Sequence, residues 1–156
     1  MKSVISMIPA LLLSVPGVLL SGDKALVLPA ANIQDQLKQL APQARSSGSS
    51  GASLAEYGNL ELKTSVRTTS GGAEIHAHYD DLMIVQQGAA TLITGGTVVD
   101  PVTSSNGETK GSSVQGGERK QIAVGDVVLI PAGLPHQLLI PSGTLYSALV
   151  AKIKEK

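Results

Sequence analysis

An all-β sandwich or small barrel is the fold class this sequence predicts, on three observations. Short runs rich in Val, Ile, Leu and Thr recur from residue 60 onward, and such residues suit pleated, half-buried surfaces. Seventeen Gly and eight Pro punctuate those runs, as a fold with frequent turns requires. Phe and Trp are absent and only Tyr57, Tyr79 and Tyr146 are aromatic, so the core has to be built from aliphatic side chains. At 156 residues there is room for one domain with a substantial core and hardly for two.

The N-terminal stretch, residues 1–31, stands apart from that domain. Lys2 precedes an apolar run from Val4 to Leu20, and the polar Ser21-Gly22-Asp23-Lys24 follows. One positive charge, a hydrophobic segment and a polar boundary is the layout of a secretory signal, which places the mature protein in the periplasm or outside the cell. Ser21-Gly22 and Ala30-Ala31 are the two candidate cleavage regions. The rival reading is an uncleaved anchor, since the run is barely long enough to cross a bilayer.

Residues 32–52 are expected to hold a helix and a linker. Asn32 is a good N-cap, Ile33, Leu37 and Leu40 share a face, and Pro42 helps to stop the helix near residue 44. Its apolar face calls for packing against the domain or against a partner subunit. Arg45-Ser-Ser-Gly-Ser-Ser-Gly51 is a flexible linker by composition. The β domain is expected from residue 53 to 156.

Within it the strand candidates are 60–68, 73–78, 82–87, 90–94, 97–99, 119–124, 127–130, 137–140 and 144–153. Residues 100–117, rich in Gly, Ser and Thr, are expected to form one long loop. Met83, Val85, Leu129 and Leu138 are candidates for barrel interior or pocket wall, and Glu118, Arg119 and Lys120 for a solvated strand face.

Twelve acidic and twelve basic residues leave no net charge. Without a basic stripe or aromatic platforms, the sequence offers nothing to a nucleic acid. No Cys is present, which excludes disulfides, thiolate metal sites and a thiol nucleophile. No Ser-based nucleophile set and no Gly-rich phosphate cradle is visible.

The three histidines fall inside two short motifs. The first reads Gly71-Gly72-Ala73-Glu74-Ile75-His76-Ala77-His78-Tyr79-Asp80-Asp81, with Gly88 beyond it. The second runs from Gly125-Asp126 through Pro131-Ala132-Gly133 to His136. If the first stretch is a strand, Glu74, His76 and His78 leave one face, so two imidazoles can reach one ion. Asp81 can add an oxygen ligand, and His136 can close the set from a distant segment. Imidazoles with a carboxylate suit Fe(II), Mn(II), Zn(II), Ni(II) or Cu(II). Glu74 is both a substitute ligand and the candidate acid–base group. The plain alternative is that these are ordinary polar residues on a barrel rim, with Asp81 a turn residue.

These motifs resemble those of the cupin superfamily. Its first motif is a glycine, five residues, His-x-His, three or four residues, Glu, six residues and a glycine. Its second is a glycine, five residues, Pro-x-Gly, two residues, His, three residues and Asn. Gly125, Pro131, Gly133 and His136 match the second in spacing. Ile140 stands where Asn is expected, and Asp81 follows His78 after two residues. The resemblance, over residues 60–153, implies a double-stranded β-helix, or jelly-roll barrel, with a divalent metal held by His76, His78, His136 and Asp81. It further implies a choice among oxygenases, isomerases, lyases, decarboxylases, binding modules and storage proteins.

The leading expectation is a metal-dependent enzyme on a small molecule, of oxygenase or isomerase type. The alternative is a non-catalytic module that binds a small ligand or a metal. The scarcity of aromatics argues against stacking on sugar rings. Cupin resemblance is also compatible with a homodimer.

Overall fold

The β-branched runs pair into two facing antiparallel sheets in the computed structural model, which describes residues 18–19 and 24–155. The elements are β1 (Val18–Leu19), α1 (Ala30–Ser47), β2 (Ser49–Tyr57), β3 (Leu60–Arg67), β4 (Ala73–His76), β5 (Tyr79–Gln87), β6 (Ala89–Thr94) and β7 (Thr97–Val99), followed by β8 (Val102–Thr103), β9 (Glu108–Gly111), β10 (Ser113–Gln115), β11 (Glu118–Ala123), β12 (Val127–Ile130), β13 (His136–Leu139) and β14 (Tyr146–Lys154). One six-stranded sheet has the order β1-β2-β3-β14-β5-β12 and the other β11-β6-β13-β4-β9-β8, with β10 and β7 forming a short ribbon. Neighbours in space are mostly distant in sequence, as a jelly roll requires.

Alternation along the strands builds the interior. On β14, Tyr146, Ala148 and Val150 face inward, and Val85 on β5 and Leu92 on β6 meet them in one buried cluster with Ile122, Ile130 and Ile140. Leu129, expected inside, is instead 64% exposed, because the period of two turns it outward when Ile130 is buried. Ile140, in place of the family's Asn, joins the core, and its amide donates to Ser70 Oγ at 3.0 Å.

The helix is longer than its sequence signals suggest. It starts after Pro29 with no side-chain cap, contains Pro42 and ends at Gly48, which adopts φ 89° and donates its amide to the Ala44 carbonyl. Burial overrides the proline. Leu37 and Ala44 pack on Val66 of β3, with Ile33, Leu40 and Leu145 around them, so tertiary contact holds a turn that propensity alone would break. The helix therefore covers the outer face of its own sheet.

Residues 45–51 are not a flexible linker but the end of α1, a turn and the start of β2. β2 pairs with β3 from Ser49 opposite Arg67 onward; the ladder satisfies the backbone whatever the side chains. Likewise 100–117 contains β8, β9 and β10 rather than one unstructured loop.

Most of the expected signal or anchor segment lies outside the described residues. Val18–Leu19 pairs in parallel with Ala55 and Glu56. Among the described residues no helix is long and apolar enough to cross a membrane.

Candidate metal centre

Three neighbouring strands of one sheet bring the polar residues together. His136 on β13 lies directly opposite Glu74 on β4, and His76, two residues further along β4, lies opposite Glu108 on β9. Opposed residues in an antiparallel pair share a face, so all four side chains point the same way. Glu74, His76 and His136 offer ligand atoms all within 4.8 Å of one another, and the two imidazole centroids are 5.1 Å apart. Turns hold this register. Gly133 takes φ 76° in the Pro131–His136 connection, and its amide donates to the His76 carbonyl at 2.8 Å.

The facing sheet supplies an ion pair. Asp81 on β5 and Lys152 on β14 are register partners. Lys152 Nζ lies 3.2 Å from Asp81 Oδ1, and Asp81 Oδ2 lies 3.3 Å from His76 Nε2. Lys152 also sits 5.6 Å from the Tyr79 ring centroid.

Both buried histidines have one ring nitrogen tied down. His76 Nδ1–H donates to Glu108 Oε2 at 2.5 Å, and His136 Nδ1–H donates to the Leu134 carbonyl at 3.1 Å. The Leu134 carbonyl leaves His136 Nε2 to carry a lone pair, the arrangement that orients imidazole ligands toward a metal, whereas His76 Nε2 faces Asp81 Oδ2 at 3.3 Å. Burial pulls the His76 pKa down, but the hydrogen bond and charge of Asp81 outweigh it, against Lys152 and with help from Glu108, and the net shift is upward. Burial pushes Asp81 up, yet the His76 hydrogen bond and the Lys152 charge bring it below its ordinary value. His136 is lowered, chiefly by burial, which favours the neutral imidazole a metal needs.

The structure sorts the expected ligands into three groups. Glu74, His76 and His136 converge. Asp81 reaches His76 but is engaged by Lys152. His78 does not join them. The strand expected to run to residue 78 ends at His76, Ala77 and His78 form a turn, and His78 is exposed. The alternation that would place His78 beside His76 is broken by that turn, where the Ala77 amide donates to the Gly107 carbonyl.

The first motif thus reads two residues earlier than the histidines suggest. Glu74-x-His76, four residues, Asp81, six residues and Gly88 keeps the family spacing from the first ligand onward, with Glu74 standing for the first histidine, Asp81 for the glutamate and Thr68 where the leading glycine is expected. The four-residue gap from His76 to Asp81 was the available signal. Glu108 had none, since it lies in a Gly/Ser/Thr-rich segment. Lys152 had one: a lysine on the inward face set by Tyr146, Ala148 and Val150.

Glu74, His76, Asp81, His136 and Lys152 line a partly open cavity of about 250 Å³, walled by Met83, Leu92, Leu138 and Val150. Arg67 and Tyr146 line it as well.

No protein-family model matches the sequence, and no curated protein does. Solved structures do match in fold. The cupin domain of Schizosaccharomyces pombe Cnp3 aligns with TM-score 0.52 and 10% identity over 70% of this chain and 66% of that one. The DMSP lyase DddQ of Ruegeria pomeroyi aligns with TM-score 0.51 and 14% identity over 70% and 49%. The polyketide cyclase RemF of Streptomyces resistomycificus aligns with TM-score 0.50 and 15% identity over 70% and 67%. The matched part spans about half the length of the lyase. Two facing antiparallel sheets, the Gly125–His136 motif and these matches together identify the fold of this chain as that of the cupin superfamily.

Proposed function

We propose that the protein is an exported cupin that holds one divalent metal through Glu74, His76 and His136 and acts on a small molecule in the adjoining cavity, as an oxygenase or isomerase. The observation that carries this reading is the convergence of two imidazoles and one carboxylate within 4.8 Å. Metal–ligand bonds of about 2.1 Å put donors roughly 3–4 Å apart, so the set has to draw in by no more than about 1–2 Å to hold an ion. Two histidines and one carboxylate with open positions is the donor set of non-haem iron oxygenases. A metal there would supply a Lewis acid or, as iron, a redox centre. Manganese, zinc, nickel and copper suit the same donors.

The chain's own residues do the rest. Glu108 and the Leu134 carbonyl fix the two imidazole rings. Lys152 neutralises Asp81 and holds it beside His76. The aliphatic walls exclude water from reacting groups. Export rests on Lys2 and the apolar run from Val4 to Leu20.

A second reading has its own observation. His76 is engaged by Glu108 on one nitrogen and faces Asp81 on the other, the setting of an imidazolium in a metal-free, non-catalytic binding module. Titrating Fe(II), Mn(II), Zn(II), Ni(II) and Cu(II) into chelator-stripped protein separates the two. One tight equivalent per chain, lost in the Glu74→Ala/His136→Ala double variant, supports the enzyme reading; no saturable binding of any of the five refutes it.

A further inference from the structure

We propose that Arg67 and Tyr146 form a carboxylate-binding subsite in the cavity beside the Glu74/His76/His136 group, so that the molecule taken by this protein is a small carboxylic acid. The inference deepens the reading of the cavity as the substrate site and rests on it.

Arg67 on β3 and Tyr146 on β14 are register partners, so their side chains leave the same face of the sheet. Both line the cavity. Tyr146 is 1% exposed, yet its hydroxyl is buried without a hydrogen-bond partner. Native structures leave few such groups, and those that remain call for an explanation. A ligand oxygen in the cavity would complete this one. Burial raises the Tyr146 pKa to about 12, offset in part by Arg67, so the phenol stays protonated and keeps an O–H to donate to an acceptor such as a carboxylate.

The charges around the cavity point the same way. Lys152 pairs with Asp81 and Lys63 with Glu61, whereas among the described residues no carboxylate pairs with Arg67. One unmatched cation beside one hydroxyl donor matches a single carboxylate group better than a phosphate, whose tetrahedral oxygens and concentrated charge call for more donors than these two. The planar guanidinium fork matches a carboxylate in geometry as well as charge. Gly71 completes the subsite. A Cβ there would stand 2.9 Å from Arg67 Nη1, so the guanidinium lies across a bare Cα that leaves it room. A volume of about 250 Å³ restricts the ligand to a small molecule.

The test is calorimetric titration of the full chain, stripped of metal by chelator, with succinate, dimethyl succinate and inorganic phosphate. The proposal predicts one saturable succinate site per chain, no binding of the diester, and weaker binding of phosphate. Arg67→Met should weaken succinate binding about tenfold or more, and Tyr146→Phe about tenfold, as loss of charge-assisted hydrogen bonds implies. Arg67→Lys should recover only part, since the charge returns without the fork. Gly71→Ala crowds only the mobile end of Arg67, so it should keep the fold and still weaken binding about threefold, a loss of the size expected for one disturbed hydrogen bond; with Tyr146→Phe it decides the matter if Arg67→Met does not fold. No succinate binding by the wild type, binding unchanged in the folded variants, or phosphate binding tighter than succinate overturns the proposal. Because metal is removed, the result is independent of the metal titration: either reading can fail while the other stands.

Discussion

Replacing Lys152 by Met should destabilise the metal-free protein by about 3 kcal/mol, the lower end of the range for breaking a buried ion pair by removing one partner. Asp81 is 7% exposed, and its Oδ1 is buried with no hydrogen bond. The ammonium 3.2 Å away is what compensates that oxygen. Met fills much of the lysine stem's volume, so the loss is chiefly electrostatic, plus about 0.5–1 kcal/mol for the contact with the Tyr79 ring. His76 still faces Oδ2 at 3.3 Å, which is why the low end applies. A chain of this size should lose about 6–12 °C in Tm for that change. Urea unfolding followed by circular dichroism measures it. The double variant Asp81→Asn/Lys152→Met should recover about 2 kcal/mol, since it removes the stranded charge. If Lys152→Met costs less than about 1 kcal/mol, or Asp81→Asn recovers nothing on that background, the pair behaves as a solvated one and the reasoning fails.

Glu108→Gln should keep the fold and lower metal affinity about 10–100-fold, because the carboxylate that orients His76 is lost; calorimetric metal titration reads it, and unchanged affinity would remove Glu108 from the site. Acid stability should follow Asp81. Its folded pKa lies below 3.8, so the unfolded chain binds more protons in that window and stability rises with pH there. The contribution of Asp81 is complete above that value and is lost as pH falls through the folded pKa. Urea midpoints of the metal-free protein should therefore fall more steeply on acidification than those of Asp81→Asn, and parallel profiles would refute the shift.

The sequence made the barrel legible because alternation and turn residues are local signals. The second motif was legible in full: Gly125, Pro131 and Gly133 set turns whose spacing survives in the fold. The first motif misled because two histidines in a His-x-His pair draw attention from the carboxylate before them. Whether a strand ends at residue 76 or 78 depends on pairing with β9, a strand hidden in a polar segment. Glu108 was invisible for the same reason. The extension of α1 through Pro42 and the pairing of 49–57 depend on burial and on a partner strand, neither of which is local.

Elemental analysis of three untagged proteins, purified without chelators, tests the centre most directly: wild type, His78→Ala and His136→Ala. One equivalent of a transition metal per chain is expected in the wild type and in His78→Ala, and almost none in His136→Ala. Loss of the metal from His78→Ala, or its retention in His136→Ala, would contradict the assignment of Glu74, His76 and His136 as the ligand set.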